Sequence, residues 1–170
     1  TGQRDSGECM EVLLDKLKDW ISKWLVNRDD ITVNGRRSEI LRNCLEQGKA
    51  PKGLFQLTVP TGGGKTVASL AFALQHAVEH HMDRVIYVIP YTSIIEQNAQ
   101  VFREILGNEN VLENHSNVDY EISEDFKPMQ LAAENWDKPV VVTTNVQFFE
   151  SLYANKSSKC RKLHLSLIHI

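Results

Sequence analysis

The run Val59-Pro-Thr-Gly-Gly-Gly-Lys-Thr66 is the stretch of this sequence best suited to chemistry. Three successive glycines let the backbone curl and point N–H groups at an anion, and a helix beginning near Lys65 would add the positive end of its dipole. Lys65 could then reach the outer phosphates of a triphosphate, and the Thr66 hydroxyl could bind Mg²⁺. The pattern predicts a phosphate-binding loop, with Lys65 and Thr66 in the catalytic roles and nucleotide contacts from Thr61, Gly62, Gly63, Gly64, Lys65 and Thr66.

The residues on either side predict a strand before this loop and a helix after it. Leu54 to Val59 is a short apolar and β-branched run, and Pro60 cannot continue a β-ladder. After Lys65, apolar residues recur at helical spacing to about His81. Val59 stands where the strict pattern has glycine, and a plain glycine-rich turn is the alternative interpretation. The order strand, loop and helix favours the phosphate loop.

Composition places the chain among ordinary globular proteins. It has 170 residues, of which 42% are hydrophobic and 24% charged, enough for one core. The net charge of −3 gives no general attraction to nucleic acid, so any such contact must be local. Cys9, Cys44 and Cys160 lie far apart without a CxxC pair, which indicates a reducing compartment, the cytoplasm by default, and disfavours a zinc or disulfide framework. No run is apolar enough for a membrane span, and because Thr1 is not methionine we expect a fragment.

Periodicity along the rest of the chain predicts alternating helices and strands, hence an α/β fold with a parallel sheet. Helices are expected over Glu8–Val26, Ser38–Gln47, Ser93 to about Gly107, Met129–Asn135 and Thr144 to about Ala154. Further strands are expected over Arg84–Pro90, Val111–Glu113 and Pro139–Thr143. Turns or loops are expected over Asn27–Asp30, Asn34–Gly35, Ser116–Lys127 and Asn155–Lys162. Two capping boxes, Ser93 with Glu96 and Thr144 with Gln147, are predicted to open helices.

Three polar clusters follow predicted strands: Thr61–Thr66, Pro90–Gln97 and Thr143–Gln147. Ligands in open parallel sheets bind beyond the carboxyl ends of the strands, where these clusters should lie. The second and third clusters carry hydroxyls and amides rather than Lys or Arg, which suits hydrogen bonds to a nucleic-acid backbone. Helix capping alone is an equally good explanation of both.

These strings resemble a known family. Residues 59–66 resemble motif I of superfamily 2 helicases, which by itself indicates only an NTPase. Four longer strings look like the helicase part of the CRISPR-associated helicase-nuclease of type I systems. They are residues 66–74 (Thr-Val-Ala-Ser-Leu-Ala-Phe-Ala-Leu), 86–97 (Ile-Tyr-Val-Ile-Pro-Tyr-Thr-Ser-Ile-Ile-Glu-Gln), 134–144 (Glu-Asn-Trp-Asp-Lys-Pro-Val-Val-Val-Thr-Thr) and 147–152 (Gln-Phe-Phe-Glu-Ser-Leu). The resemblance covers about residues 34–164.

The resemblance implies a P-loop NTPase with an incomplete RecA-like parallel sheet flanked by helices. Residues 1–50 would be an N-terminal helical extension, 51–164 a partial first RecA-like domain, and 165–170 a tail outside the family pattern. The family hydrolyses ATP with Mg²⁺ and pulls single-stranded DNA after an RNA-guided CRISPR surveillance complex opens the target, in antiviral defence. Motifs Ia and Ib would contact that strand through Pro90, Thr92, Ser93, Gln97, Thr143 and Thr144. Arg37 lies where helicases often contact adenine.

The sequence also departs from the family. The family has an Asp-Glu pair that holds Mg²⁺ and positions water, and these 170 residues contain no Asp-Glu dipeptide. Neither the second motor domain nor the nuclease motifs expected upstream are present in these residues. Because phosphoryl transfer depends on positioned water, metal and arginine, this chain alone should hydrolyse ATP poorly. Another P-loop enzyme, such as a DEAD-type RNA helicase or a small-molecule kinase, and a non-hydrolysing nucleotide-binding module are the alternatives.

The histidines offer one competing motif. His76-Ala-Val-Glu-His80 fits the HxxEH zinc-peptidase pattern on one helix face. We favour a structural role in the last turns of the helix, whose negative end suits histidine. His115 is interpreted as a loop residue and not as a catalytic base.

Overall fold

The computed structural model describes residues 7–25, 31–114, 138–154 and 165–169. The helices are α1 (Met10–Ser22), α2 (Val33–Gln47), α3 (Lys65–Glu79), α4 (Thr92–Leu106) and α5 (Asn145–Ala154), with a 3₁₀ turn at Asn108–Asn110. The strands are β1 (Arg84–Ile89), β2 (Val111–Asn114), β3 (Val140–Thr144) and β4 (Leu165–His169). The chain divides into two compact units, one of Met10–Met82 and one of Thr1–Cys9 with Asp83–Ile170.

The first unit is helical, and α1 and α2 both pack on α3. The apolar stripe predicted for α1 is buried at Met10, Leu13, Leu14, Leu17 and Ile21. The helix ends four residues before the predicted Val26, and the Trp24 ring, 57% exposed, stacks on Trp20 at 4.7 Å between centroids. Helix α3 buries Ala68, Leu70, Ala71, Ala73, Leu74 and Ala77, small and branched side chains that allow close packing from two sides.

Helix α2 begins earlier than its sequence predicts. The Thr32 hydroxyl accepts a hydrogen bond from the Gly35 N–H at 3.3 Å and caps the helix. Asn34 and Gly35 therefore lie in the first turn of α2, and the predicted turn at these residues is wrong. The predicted end is confirmed, because the Gly48 N–H donates to the Cys44 carbonyl at 3.0 Å.

The second unit contains a parallel sheet in the order β2-β3-β1-β4. The three strands predicted around Arg84–Pro90, Val111–Glu113 and Pro139–Thr143 are confirmed as β1, β2 and β3. Val85–Ile89 and Val140–Thr143 are buried throughout, as expected for strands covered on both faces. Helices α4 and α5 pack on this sheet. The structure is thus the predicted α/β fold, an incomplete RecA-like domain with a parallel sheet and flanking helices.

The strand predicted before the phosphate loop is not formed. The sequence pattern of residues 54–59 predicts a strand, but residues 54–60 are irregular in the structure, and Leu54 is fully exposed. A strand requires a neighbouring edge that completes its ladder hydrogen bonds. In the described part of the chain, the sheet consists of β2, β3, β1 and β4, and residues 54–60 pair with none of them. The apolar composition of this run therefore gave the wrong secondary structure.

The two predicted capping boxes have different outcomes. Thr144 caps α5, since its hydroxyl accepts from the Gln147 N–H at 3.2 Å. Helix α4 begins at Thr92, with Tyr91 at the cap position and no side-chain capping hydrogen bond. Ser93 is already inside the first turn, so the box predicted for Ser93 and Glu96 is wrong.

Several predictions fall outside the described residues. They are the turn at Asn27–Asp30, the loop at Ser116–Lys127, the helix at Met129–Asn135, the turn at Asn155–Lys162 and the loop position of His115. Among the helices that the structure does describe, each is too short or too polar to cross a bilayer.

Candidate phosphate loop and nucleic-acid interface

The phosphate loop begins with a tight turn over Pro60–Gly63. The Gly63 N–H donates to the Pro60 carbonyl at 3.0 Å. Gly62, the third residue of this turn, has φ of 82°, a conformation that a type II turn requires and that side chains disfavour. The sequence Pro-Thr-Gly-Gly is therefore suited to this turn.

Close packing explains both Gly63 and the unusual Val59. A Cβ atom placed on Gly63 would lie 2.4 Å from Val59 Cγ1 and 2.9 Å from the Pro60 carbonyl oxygen. Val59 itself is buried, and its methyl group occupies the space beneath Gly63. The departure from the strict motif thus places an apolar contact under the loop.

The loop passes directly into α3, whose N-terminus carries no side-chain cap. Gly64 is the cap residue, has φ of 79°, and makes no side-chain capping hydrogen bond. The first helical hydrogen bond runs from the Ala68 N–H to the Gly64 carbonyl at 3.0 Å, so the N–H groups of Lys65, Thr66 and Val67 have no acceptor within the helix. A Cβ on Gly62 or Gly64 would meet no atom within 4 Å. The open space at Gly62 and Gly64 and the positive end of the helix dipole together fit a phosphate group.

The side chains with predicted catalytic roles begin this helix. Lys65 is exposed and Thr66 is half-buried. The Thr66 carbonyl accepts from the Ser69 hydroxyl at 2.9 Å, which keeps the first turn of α3 closed. A nucleotide held here would have an ammonium group and a hydroxyl within one helical turn.

Arg37, a residue of helix α2, contacts the loop directly. Its Nε and Nη2 atoms both donate to the Gly62 carbonyl, at 2.9 and 2.7 Å. The sequence interpretation had associated Arg37 with adenine through its position before the loop. A contact between residues 25 positions apart carries no local sequence signal.

The two predicted nucleic-acid motifs lie side by side in the second unit. Ile89 is paired with Thr144 in the sheet, so Pro90–Gln97 and Thr143–Gln147 leave adjacent strands at the same edge. Pro90, Ser93 and Gln97 are exposed, whereas Thr92 and Thr144 are half-buried. Thr143 is fully buried, and its hydroxyl, like the Asn145 Oδ1 atom, has no hydrogen-bond partner among the described residues.

Exposed apolar side chains surround these polar residues, and the sequence interpretation did not single them out. They are Tyr91, Ile94, Val146 and Phe149, with exposed fractions of 66, 40, 64 and 52%. The sequence feature that could have predicted them is an apolar residue next to the polar residues at the start of each helix. Aromatic side chains in such positions can stack nucleic-acid bases.

The HxxEH histidines bind backbone carbonyls. His76 Nδ1 lies 2.9 Å from the Gly48 oxygen and His80 Nε2 lies 2.7 Å from the Ala50 oxygen. Since a carbonyl only accepts, these ring nitrogens carry the protons. Among the described residues, no group of three His, Cys, Asp or Glu side chains could hold a metal ion. These contacts support the structural role that we favoured for the pair.

Two of the three cysteines lie in the described residues. Cys9 is exposed and Cys44 is buried, and both are free thiols. Burial raises the pKa of the Cys44 thiol, which keeps it protonated and unreactive at neutral pH.

The sequence matches a known family model over most of its length. The family model described as "Type III restriction enzyme, res subunit" matches residues 20–168. The chain belongs to this family. The res-subunit match spans the phosphate loop and both polar motifs, and domains of this family are ATP-dependent helicase-type P-loop enzymes.

A curated relative is similar over part of the chain. The chain is 31% identical to the CRISPR-associated nuclease/helicase Cas3 of Haloferax volcanii, in an alignment that covers 63% of this chain. The chain spans only 14% of the length of that relative. Together, the res-subunit match and this similarity confirm the predicted resemblance to a Cas3-like superfamily 2 helicase fragment.

Proposed function

We propose that this chain is the nucleotide-binding part of a CRISPR-associated DNA helicase, which binds Mg-ATP through the phosphate loop and single-stranded DNA through the edge formed by Pro90–Gln97 and Thr143–Gln147. Residues 51–164 would be its partial RecA-like domain, and 1–50 a helical extension. The observation that carries the proposal is the loop geometry: positive φ at Gly62 and Gly64, followed by the uncapped N-terminus of α3.

In the nucleotide site, Thr61, Gly62 and Gly64 would bind phosphate oxygens through backbone N–H groups, while Gly63, whose N–H donates to the Pro60 carbonyl, would shape the loop around them. The Lys65 ammonium would neutralise the outer phosphates, and the Thr66 hydroxyl would be a ligand of the nucleotide's Mg²⁺. That ion, when bound, screens negative charge on the transferring phosphoryl group. Arg37, adjacent to Gly62, would add a second positive charge to the site.

The nucleic-acid site would use uncharged donors. Thr92, Ser93, Thr143, Thr144 and Gln97 would bind the phosphate backbone, while Pro90 shapes the turn after β1. The Thr143 hydroxyl is buried and has no hydrogen-bond partner among the described residues, so on this proposal the end of β3 must open for it to reach a phosphate. Exposed Tyr91 and Phe149 would stack bases, which favours a single strand over a duplex.

The proposed chain binds nucleotide but hydrolyses it poorly, since its 170 residues contain no Asp-Glu pair to hold metal and position water. As part of a longer helicase like this relative, the chain would work in the cytoplasm together with an RNA-guided surveillance complex. The similarity to Cas3 supports that partner.

Lys65→Ala tests the nucleotide site directly. We expect this change to remove measurable Mg-ATP binding, because the loop loses the charge that opposes the outer phosphates. Lys52→Ala is the matched control, since Lys52 is an exposed lysine of the same unit outside the loop. The measurement is fluorescence titration with a labelled ATP in the presence of Mg²⁺. Equal affinity in wild type and Lys65→Ala would refute the assignment of the site.

A further inference from the structure

The peptide group between Gly62 and Gly63 is held at both ends. Its carbonyl accepts the two hydrogen bonds from Arg37, and its N–H donates to the Pro60 carbonyl at 3.0 Å. A peptide plane next to a glycine with φ of 82° is otherwise free to rotate, because glycine has no Cβ to restrict it. Arg37 therefore acts at the point of the loop where restraint is most needed.

Helix α2 supports this contact from a defined position. Thr32 caps the helix and the Ser38 hydroxyl bonds the Asn34 carbonyl at 2.9 Å, so the turn that carries Arg37 is well ordered. Ile40, three residues further on the same helix, has its Cδ1 atom 3.8 Å from a Cβ built on Gly63. Residues three apart share a helix face, so one face of α2 contacts the loop at two successive glycines.

The chemistry of the contact suits a permanent restraint. A guanidinium is always charged and offers donors in a fixed fork, and its bonds to a carbonyl are stronger than neutral hydrogen bonds. A phosphate loop binds through N–H groups that must be oriented before the ligand arrives, since reorganisation on binding weakens affinity.

We propose that Arg37 is a positioning residue that fixes the Gly62–Gly63 peptide and so preorganises the loop for phosphate binding. This inference rests on the proposed nucleotide site, and it replaces a contact with adenine by a contact with the loop. The two roles differ in the part of the nucleotide that each affects.

Two ligands separate these roles: Mg-ATP and inorganic tripolyphosphate with Mg²⁺, which has no base. For Arg37→Met we expect both affinities to fall by the same factor, about tenfold for the loss of a charged two-bond contact. Arg37→Lys should recover part of each affinity, because an ammonium can make one of the two bonds. Arg36→Met, an exposed arginine on the same helix, is the control and should change neither affinity. A loss of Mg-ATP affinity with unchanged tripolyphosphate affinity would assign Arg37 to the base and overturn the proposal.

Hydrogen exchange of the free protein provides a readout that needs no nucleotide. The Gly63 N–H should exchange at least several-fold faster in Arg37→Met than in wild type or Arg36→Met, while the amides of α1 remain unchanged. If wild-type protein binds neither ligand, the proposed function fails, and this exchange rate alone decides the role of Arg37. Unchanged exchange at Gly63 would refute the positioning role in either case.

Discussion

Gly63 and Val59 form a complementary pair at the centre of the phosphate loop. The glycine is required here by space, since the nearest atom to its missing Cβ is a methyl group of Val59 at 2.4 Å. Residues 59 and 63 are therefore coupled through packing, although they occupy separate positions of the sequence motif. Substituting either one should change the tolerance for substitution at the other.

We expect Gly63→Ala to weaken Mg-ATP binding by about tenfold or more, because overpacking of about 1–3 kcal/mol displaces the loop backbone. Val59→Ala, made in the same protein, should restore part of that affinity by removing Cγ1. Full restoration is not expected, since the Pro60 carbonyl would still lie 2.9 Å from the new Cβ. Titration of the two single variants and the double variant measures this coupling. Additive effects would show that the two residues act independently.

At the scale of elements, the turn after α2 is fixed tightly to α3. Gly48 lies so close that an added Cβ would be 2.7 Å from Gln75 Cβ and 3.0 Å from the Phe72 carbonyl. The imidazoles of His76 and His80 donate to carbonyls in the same turn. The HxxEH spacing thus places two donors one helical turn apart, opposite the carbonyls of Gly48 and Ala50, which are two residues apart.

Gly48→Ala should lower the free energy of unfolding by about 1–3 kcal/mol, the usual cost of forcing extra volume into a packed contact. Its backbone is right-handed helical, so no conformational strain adds to this cost. Gly53→Ala is the matched control: its nearest non-neighbouring atom would be 4.0 Å away, and it should be neutral or slightly stabilising. Urea denaturation of the three proteins makes the comparison. Equal stability of both variants would contradict the close packing.

The sequence was most informative where one periodicity extends over many residues. The stripe from Met10 to Ile21 and the continuous apolar run Val85–Ile89 predicted α1 and β1, because burial on one or both faces leaves a regular pattern. Helix starts were less predictable, since several hydroxyl residues compete for each cap and Thr32 was preferred over later candidates. Leu54–Val59 has the composition of a strand, but pairing depends on edges elsewhere in the chain. The Arg37 contact with Gly62 is likewise a product of tertiary structure.

At the scale of the whole molecule, the negative net charge does not favour binding of a polyanion such as DNA. The chain carries a net charge of −3, and Glu96 is the one charged side chain within residues 90–97 and 143–149. A strand bound at that edge would release few counterions, because hydroxyls, amides and aromatic rings replace Lys and Arg.

Binding of an oligothymidine to this chain should therefore depend weakly on salt. Raising the salt from about 50 to 200 mM should reduce affinity by about 3.5-fold or less, the change expected for one phosphate neutralised or none. Fluorescence anisotropy at several salt concentrations provides the slope. A decrease of tenfold or more would locate the contacts on basic residues outside the proposed edge. Phe149→Ala and Tyr91→Ala should each weaken binding by a factor that does not change with the salt concentration.

The exposed run before the phosphate loop also has a practical consequence. Leu-Phe-Gln-Leu-Thr-Val, residues 54–59, contains no charge and no proline, and its Leu54, Phe55 and Leu57 side chains are exposed by 101, 40 and 44%. Uncharged β-prone segments of six residues are the usual seeds of self-association. Concentrated preparations of this chain should therefore aggregate through this run, and Leu54→Lys would act as a gatekeeper that keeps the chain monodisperse.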